Sequence, residues 1–151
     1  MKRIDVLIPT AINAIKNNHI PDANGMVPNE YKGYIDTFGA GIVQNGLIPA
    51  IIFFETAGGK EGESITSDKE KEGIYKNRNK LMKAILQVIR ENKKEVFPPA
   101  VGTLFEYVMA KKDEKMEEKQ IRQKVVDASI AVKLALRTFS IPRRGRPFVE
   151  P

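Results

Sequence analysis

The chain has 151 residues, of which 42% are hydrophobic and 29% are charged, and its formal net charge is +6. This composition is ordinary for a soluble globular protein, and the length suits one domain. The chain contains no cysteine and a single histidine. These counts exclude a disulfide framework and a thiolate site, and they leave few ligands for a zinc site. The positive charge favours anionic partners, although by itself it is weak evidence for nucleic acid.

No apolar stretch reaches the roughly 20 residues that span a bilayer. Residues 1–3 are basic at their end and are followed by apolar residues, as in a signal peptide. Asp5, Pro9 and Asn13 interrupt this apolar part, and no small-residue cleavage site follows. We therefore expect a cytoplasmic protein without a membrane segment.

The first predicted element is a helix within residues 1–20, because apolar side chains recur there at helical spacing. Pro9 fits only the first turn of such a helix, so Asp5 is the expected N-cap. A strand from Arg3 to Ile8 is the alternative, although its alternation is poor. His19 lies near the end of this helix and has no partner residues for catalysis, so we expect a structural role for it.

A second helix is predicted over residues 30–45, after a loop over residues 21–30 in which Asn29 is the expected N-cap. It has one clear apolar stripe, formed by Tyr31, Tyr34, Ile35, Phe38 and Ile42.

The pair Asn45-Gly46 follows directly. It is typical either of a β-hairpin turn or of a helix that ends and is followed at once by another. The helical stripe before the pair, and Pro49 after it, favour a helix corner with a left-handed Gly46.

Residues 47–57 are apolar nearly all round, which predicts a third helix that is buried on most sides. Their high β-propensity leaves a strand over Ala50–Phe54 open. Residues 58–73 are rich in glycine and acidic side chains and predict a mobile acidic loop. The Gly59-Lys60 pair fits neither a P-loop, which needs an earlier glycine, nor a KH domain, which needs strands.

A long helix is predicted over residues 74–93, with Leu81, Ile85 and Val88 in its core stripe. Its opposite face carries a basic ridge about 27 Å long at 1.5 Å per residue. We expect the ridge to contact phosphates through Lys76, Lys80, Lys83, Arg90 and Lys94, and a merely solvated face is the alternative. Arg78 lies within the apolar stripe instead. It either snorkels at the core edge or reaches a carboxylate or a partner chain.

Two further helices are predicted after Pro98-Pro99, over about residues 103–111 and 114–139. The last helix has a strong core stripe and, about 180° away, a second apolar row formed by Val126, Ile130 and Leu134. An apolar row on the second face predicts burial on two sides or contact with another protein chain.

The tail, residues 140–151, contains two prolines that prevent a helix. It also contains three arginines whose guanidinium groups suit phosphate, namely Arg143, Arg144 and Arg146. A frayed terminus is the alternative for this segment. The whole pattern predicts an all-α protein: a compact bundle of five to six helices in a single domain over residues 1–139, followed by an extended basic tail.

No pattern indicates catalysis. There is no thiol, no carboxylate pair in an apolar pocket pattern, and no Ser or Thr beside a recognisable base. We therefore expect a binding or scaffold protein that has no cofactor, no metal and no small-molecule substrate. From the residues alone, it would contact both nucleic acid and protein neighbours.

The stretch from Tyr31 to Ala57 resembles the small, Cmr5-type, subunit of the type III-B CRISPR effector, the Cmr complex. It combines a tyrosine-rich amphipathic helix, the sequence Ile-Val-Gln-Asn-Gly-Leu, and an apolar helix with paired Phe53 and Phe54. The long last helix, ending Leu136-Arg137-Thr138-Phe139, is also similar.

This resemblance implies a non-catalytic all-α subunit in antiviral defence. Several copies would stack into a minor filament and help hold the crRNA–target RNA duplex, while another subunit cleaves the target. The implied partners are crRNA, target RNA, other Cmr subunits and further copies of the chain. A stand-alone helical adaptor, or a small subunit of another CRISPR effector type, is the alternative.

Overall fold

A computed structural model describes residues 3–56, 68–92 and 101–139, with residues 68–75 described by their backbone alone. Within these ranges a short 3-10 turn precedes six α-helices. Their bounds are Asp5–Leu7 for the turn, then α1 Ile8–Asn17, α2 Glu30–Asn45, α3 Leu47–Glu55, α4 Asp68–Arg90, α5 Leu104–Asp113 and α6 Glu118–Leu136. No β-strand occurs in the described ranges, so the all-α prediction is confirmed. The strand alternatives at residues 3–8, at residues 50–54 and in a hairpin at Gly46 are wrong.

The core lies between α1, α4 and α6, which pack against one another. Helix α2 packs on α6 at one side and on α3 at the other, and α5 closes the bundle against α3, α4 and α6. The largest fully buried side chains are aromatic, namely Tyr31, Phe38, Phe54 and Tyr107. The predicted stripes of the helices therefore face one common apolar interior.

Gly46 forms the corner between α2 and α3 with a φ of 98° and a ψ of 164°. Its N–H donates to the Ile42 carbonyl at 3.0 Å, and its carbonyl accepts from the Ala50 N–H at 3.3 Å. One residue thus ends the first helix and starts the second, as predicted. The predicted left-handed helical conformation of Gly46 is wrong, because its ψ value is extended. The observed combination of positive φ and extended ψ is accessible essentially to glycine alone.

The start of the chain differs from the prediction. Asp5 does not cap α1. It opens a 3-10 turn, and Leu7 precedes the helix without a side-chain cap. Pro9 does lie in the first turn. Asn29 occupies the N-cap position of α2, but its side chain makes no capping hydrogen bond.

Other boundaries also move, including the ends of α4 and α6, which stop at Arg90 and Leu136, three residues before their predicted ends. Helix α4 begins at Asp68, inside the predicted loop 58–73, because acidic residues suit the positive start of a helix. Helix α6 begins at Glu118 rather than near residue 114, since Lys115 adopts a φ of 63° and interrupts the helix. Helix α3 ends at Glu55, two residues before the predicted end. The rest of the predicted acidic loop and the tail from residue 140 lie outside the described residues, so the predicted domain boundary there stays a prediction.

Candidate functional surfaces

The predicted basic ridge lies on the outer face of α4. Lys76, Lys83 and Arg90 are exposed and Lys80 is half-buried. Lys94 and the tail arginines Arg143, Arg144 and Arg146 lie outside the described residues. The structure therefore describes four of the eight residues that were predicted to contact phosphate, all on one helix.

Two of these four cations bind the protein's own backbone. Lys80 Nζ donates to the His19 carbonyl at 3.2 Å, and Arg90 Nη2 donates to the Val101 carbonyl at 2.7 Å. His19 lies two residues beyond the end of α1 and has a left-handed φ of 57°. Sequence reasoning missed both bonds because backbone acceptors distant along the chain leave no residue pattern.

Lys76 and Lys83 differ from that pair. Neither makes a hydrogen bond or an ion pair with another described residue. Lys83 lines two shallow grooves of about 350 and 330 Å³. One groove lies toward Asn18 and the other toward Thr103. Among the described ridge positions, these two lysines are the ones that remain open to a phosphate.

The apolar row of α6 is half-exposed along its length. Val126 and Ile130 line a groove of about 760 Å³ between α2 and α6, together with Val43, whose side chain is 75% exposed. Leu134 faces a separate shallow pocket beside Ile4 and Asp5. The structure therefore brings two members of the row into one groove and the third against the N-terminal turn.

A second groove of about 670 Å³ lies between that turn, α4 and α6, and sequence reasoning did not find it. Val6, 56% exposed, lies at its edge, and Val88 and Ile89 line its base. Arg3 pairs with the buried carboxylate of Asp127 at 2.5 Å. Sequence reasoning predicted a regular helix here, so it did not predict the exposed position of Val6.

Arg78 contacts aromatic rings instead of a carboxylate. Its guanidinium carbon lies 4.8 Å from the ring centre of Phe53, 5.4 Å from Phe54 and 5.8 Å from Tyr34. Its Nε is buried and has no hydrogen-bond partner. Phe53 and its neighbour Ile52 are each 42% exposed. We call Tyr34, Ile52, Phe53 and Arg78 the aromatic–arginine patch.

Glu55 ties the end of α3 to the start of α5. Its carboxylate accepts from the Leu104 N–H at 3.0 Å and from the Phe105 N–H at 3.2 Å. Burial raises the pKa of Glu55, and these two backbone bonds offset part of the rise. Thr103 completes the junction by accepting from the Glu106 N–H at 3.1 Å. We call Glu55, Arg90, Val101 and Thr103 the α5 junction.

The described residues contain no group of three or more His, Cys, Asp or Glu side chains placed to hold a metal ion. None of the helices in these ranges combines the length and apolar character that crossing a bilayer requires.

A family comparison matches residues 10–126 to the model described as CRISPR-associated protein (Cas_Cmr5). The chain belongs to the Cas_Cmr5 family of CRISPR-associated proteins. The match runs from α1 through the first half of α6, so it includes the α4 ridge and the aromatic–arginine patch. It confirms the resemblance seen in the sequence over Tyr31–Ala57. Comparisons with curated proteins and with solved structures found no match.

Proposed function

We propose that this protein is the non-catalytic small subunit of a type III-B Cmr effector, acting in cytoplasmic antiviral defence. The observation that carries the proposal is the family match over most of the chain. In this role it binds other Cmr subunits and further copies of itself, and it contacts the crRNA–target RNA duplex. Target cleavage belongs to another subunit.

The proposed RNA contact is electrostatic and independent of sequence. In an RNA-guided complex base pairing supplies the sequence specificity, so a helper subunit needs to meet only phosphates. Lys76 and Lys83 suit this task because they are exposed and have no partner among the described residues. Lys94 and the three tail arginines would extend the same contact.

The proposed protein contact uses the apolar row of Val126, Ile130 and Leu134. A half-exposed apolar row supports contact with another chain, since burial there removes apolar surface from water. Copies that meet through two different surfaces form an open stack rather than a closed dimer. Such a head-to-tail contact gives the minor filament.

The RNA contact is tested with the paired substitution Lys76→Glu and Lys83→Glu in the full chain. We expect weaker binding to a guide–target RNA duplex, uniformly across sequences, because two phosphate contacts become repulsive. The magnitude of the slope of log K against log salt should fall by about one for each lysine. Fluorescence anisotropy across a salt series measures both quantities.

The matched control is Lys112→Glu together with Lys115→Glu, which reverses two exposed charges away from α4. An unchanged salt slope in the α4 variant, or an equal change in the control, would remove the ridge from the proposed function. Arg90 is not substituted in this test because its guanidinium binds the Val101 carbonyl.

A further inference from the structure

The aromatic–arginine patch carries a cation for which the described residues provide no counter-charge. Arg78 makes no hydrogen bond or ion pair with any described residue, and its Nε is buried. A partly desolvated guanidinium without an acceptor is costly, and three rings compensate for only part of the lost hydration. Beside it, Ile52 and Phe53 expose apolar surface. The patch therefore fits a partner that presents a carboxylate next to an apolar side chain.

The same chain presents that combination at its N-terminal turn. Val6 is 56% exposed, and the neighbouring Asp5 is exposed and has no side-chain partner among the described residues. Among the described residues, the cation beside it, Arg3, is already paired with Asp127. No described cation therefore compensates the charge of Asp5, which lies next to the most accessible apolar side chain of this turn. We call Asp5 and Val6 the acidic knob.

The two surfaces lie toward opposite ends of α4. The acidic knob adjoins the groove formed by Val88 and Ile89, whereas Arg78 lies about 15 Å earlier along the helix at 1.5 Å per residue. The turn packs on α1 and α6, and α3, which carries Ile52 and Phe53, packs on α2, α4 and α5. Two different, complementary surfaces at separate ends of one molecule produce a head-to-tail contact that repeats.

We propose that the acidic knob of one copy docks on the aromatic–arginine patch of the next copy. The Asp5 carboxylate accepts hydrogen bonds from the Arg78 guanidinium, and Val6 packs on Ile52 and Phe53. This pairing rests on the proposed stacking of copies. It is continuous with the α6 row, because Leu134 shares a pocket with Asp5.

The direct test is cross-linking in the assembled complex. The chain has no cysteine, so Val6→Cys and Ile52→Cys introduce the only thiols of this subunit. We expect a short bis-maleimide to join the double variant into a ladder of dimers, trimers and longer species. Val6→Cys with Lys112→Cys is the matched control, since Lys112 is exposed but lies outside both the patch and the α6 row, and it should give no ladder.

Each outcome is informative. Several copies in the intact complex without a ladder overturn the pairing and leave stacking itself standing. A complex whose mass shows a single copy overturns the stacking in the proposed function. Cross-links between two chains that carry only Val6→Cys would reveal a two-fold contact and would also overturn the pairing.

A charge exchange tests the pairing without added thiols. Asp5→Arg alone and Arg78→Glu alone should each weaken the copy-to-copy contact about tenfold, and the two substitutions together should restore most of it. The number of copies retained on dilution, read by native mass spectrometry, reports the effect. Asp113→Arg, at an exposed carboxylate distant from the turn, is the control. If Arg78→Glu instead weakens RNA binding as strongly as the α4 lysine pair, the patch is an RNA surface and the pairing is wrong.

Discussion

The α5 junction and the aromatic–arginine patch both place charged side chains beside α4, with opposite results. At the junction, Arg90 donates to the Val101 carbonyl and Glu55 accepts from the backbone at the start of α5. At the patch, the contacts of Arg78 with the described residues are to ring faces, and its Nε finds no acceptor among them. Charges that backbone groups satisfy hold elements together, whereas a cation left over beside exposed apolar surface is available to a partner. Helix α4 carries both Arg78 and Arg90. Membership of the same helix therefore does not decide whether an arginine is structural or available to a partner.

The largest expected difference in stability is between alanine substitutions of the two adjacent phenylalanines that contact Arg78. Phe54 is 2% exposed and packs edge-to-face on Phe38 at 5.4 Å. Phe54→Ala should lower the free energy of unfolding by about 3–5 kcal/mol, because it leaves a core cavity. Phe53→Ala should cost only about 1 kcal/mol, since it removes a half-exposed ring and one cation–π contact.

Urea denaturation followed by circular dichroism measures both free energies. Equal losses for the two variants would mean that Phe53 is a core residue. The patch would then not be a surface at all, and the comparison with the junction would fail.

The two arginines give the next largest difference. Arg90→Met should lower the free energy of unfolding by about 1.5–3 kcal/mol, because it leaves the Val101 carbonyl without its charged donor. Arg78→Met should change it by less than about 1 kcal/mol, since the lost cation–π contacts are offset by removing a buried donor without an acceptor.

The midpoints of urea denaturation, compared at a constant slope, test this pair of variants. The reverse ranking would show that Arg78 is the structural residue. Arg78 would then no longer be the basis for a partner contact.

The sequence was sufficient for the architecture because apolar periodicity is local and strong. The stripe from Tyr31 to Ile42 predicted α2, and the Asn45-Gly46 pair predicted the corner, since each depends only on residues next to one another. The 3-10 turn at Asp5–Leu7 was missed because Pro9 fits the first turn of a helix in either arrangement. The start of α6 was predicted too early, because the sequence does not reveal that Lys115 adopts a positive φ and interrupts the helix.

The candidate surfaces were predicted less completely. Helical geometry put Lys76, Lys80, Lys83 and Arg90 on one face correctly. Helical geometry could not tell which of these cations bind the protein's own backbone. Lys80 and Arg90 do so, through carbonyls that come near them only when the chain folds. Arg78 was recognised as unusual within an apolar stripe. Its ring partners come from α2 and α3, so the patch itself could not be read from the sequence.

The smallest expected effect concerns the pH dependence of the α5 junction. Burial raises the pKa of Glu55 above its ordinary value, so the folded state binds a proton there more readily than the unfolded state does. Stability from this group is therefore full below the unfolded pKa, near 4.5, and is lost as pH rises through the higher folded value. Glu55→Gln should flatten that decline because an amide does not titrate, and it should cost about 1 kcal/mol because its single oxygen keeps one of the two backbone bonds. Free energies of unfolding from pH 4 to pH 7 measure the slope, and Glu118→Gln controls for the loss of one exposed charge. If Glu55→Gln leaves the slope as it was, the carboxylate is solvated in solution, and the α5 junction is as open to water as the patch.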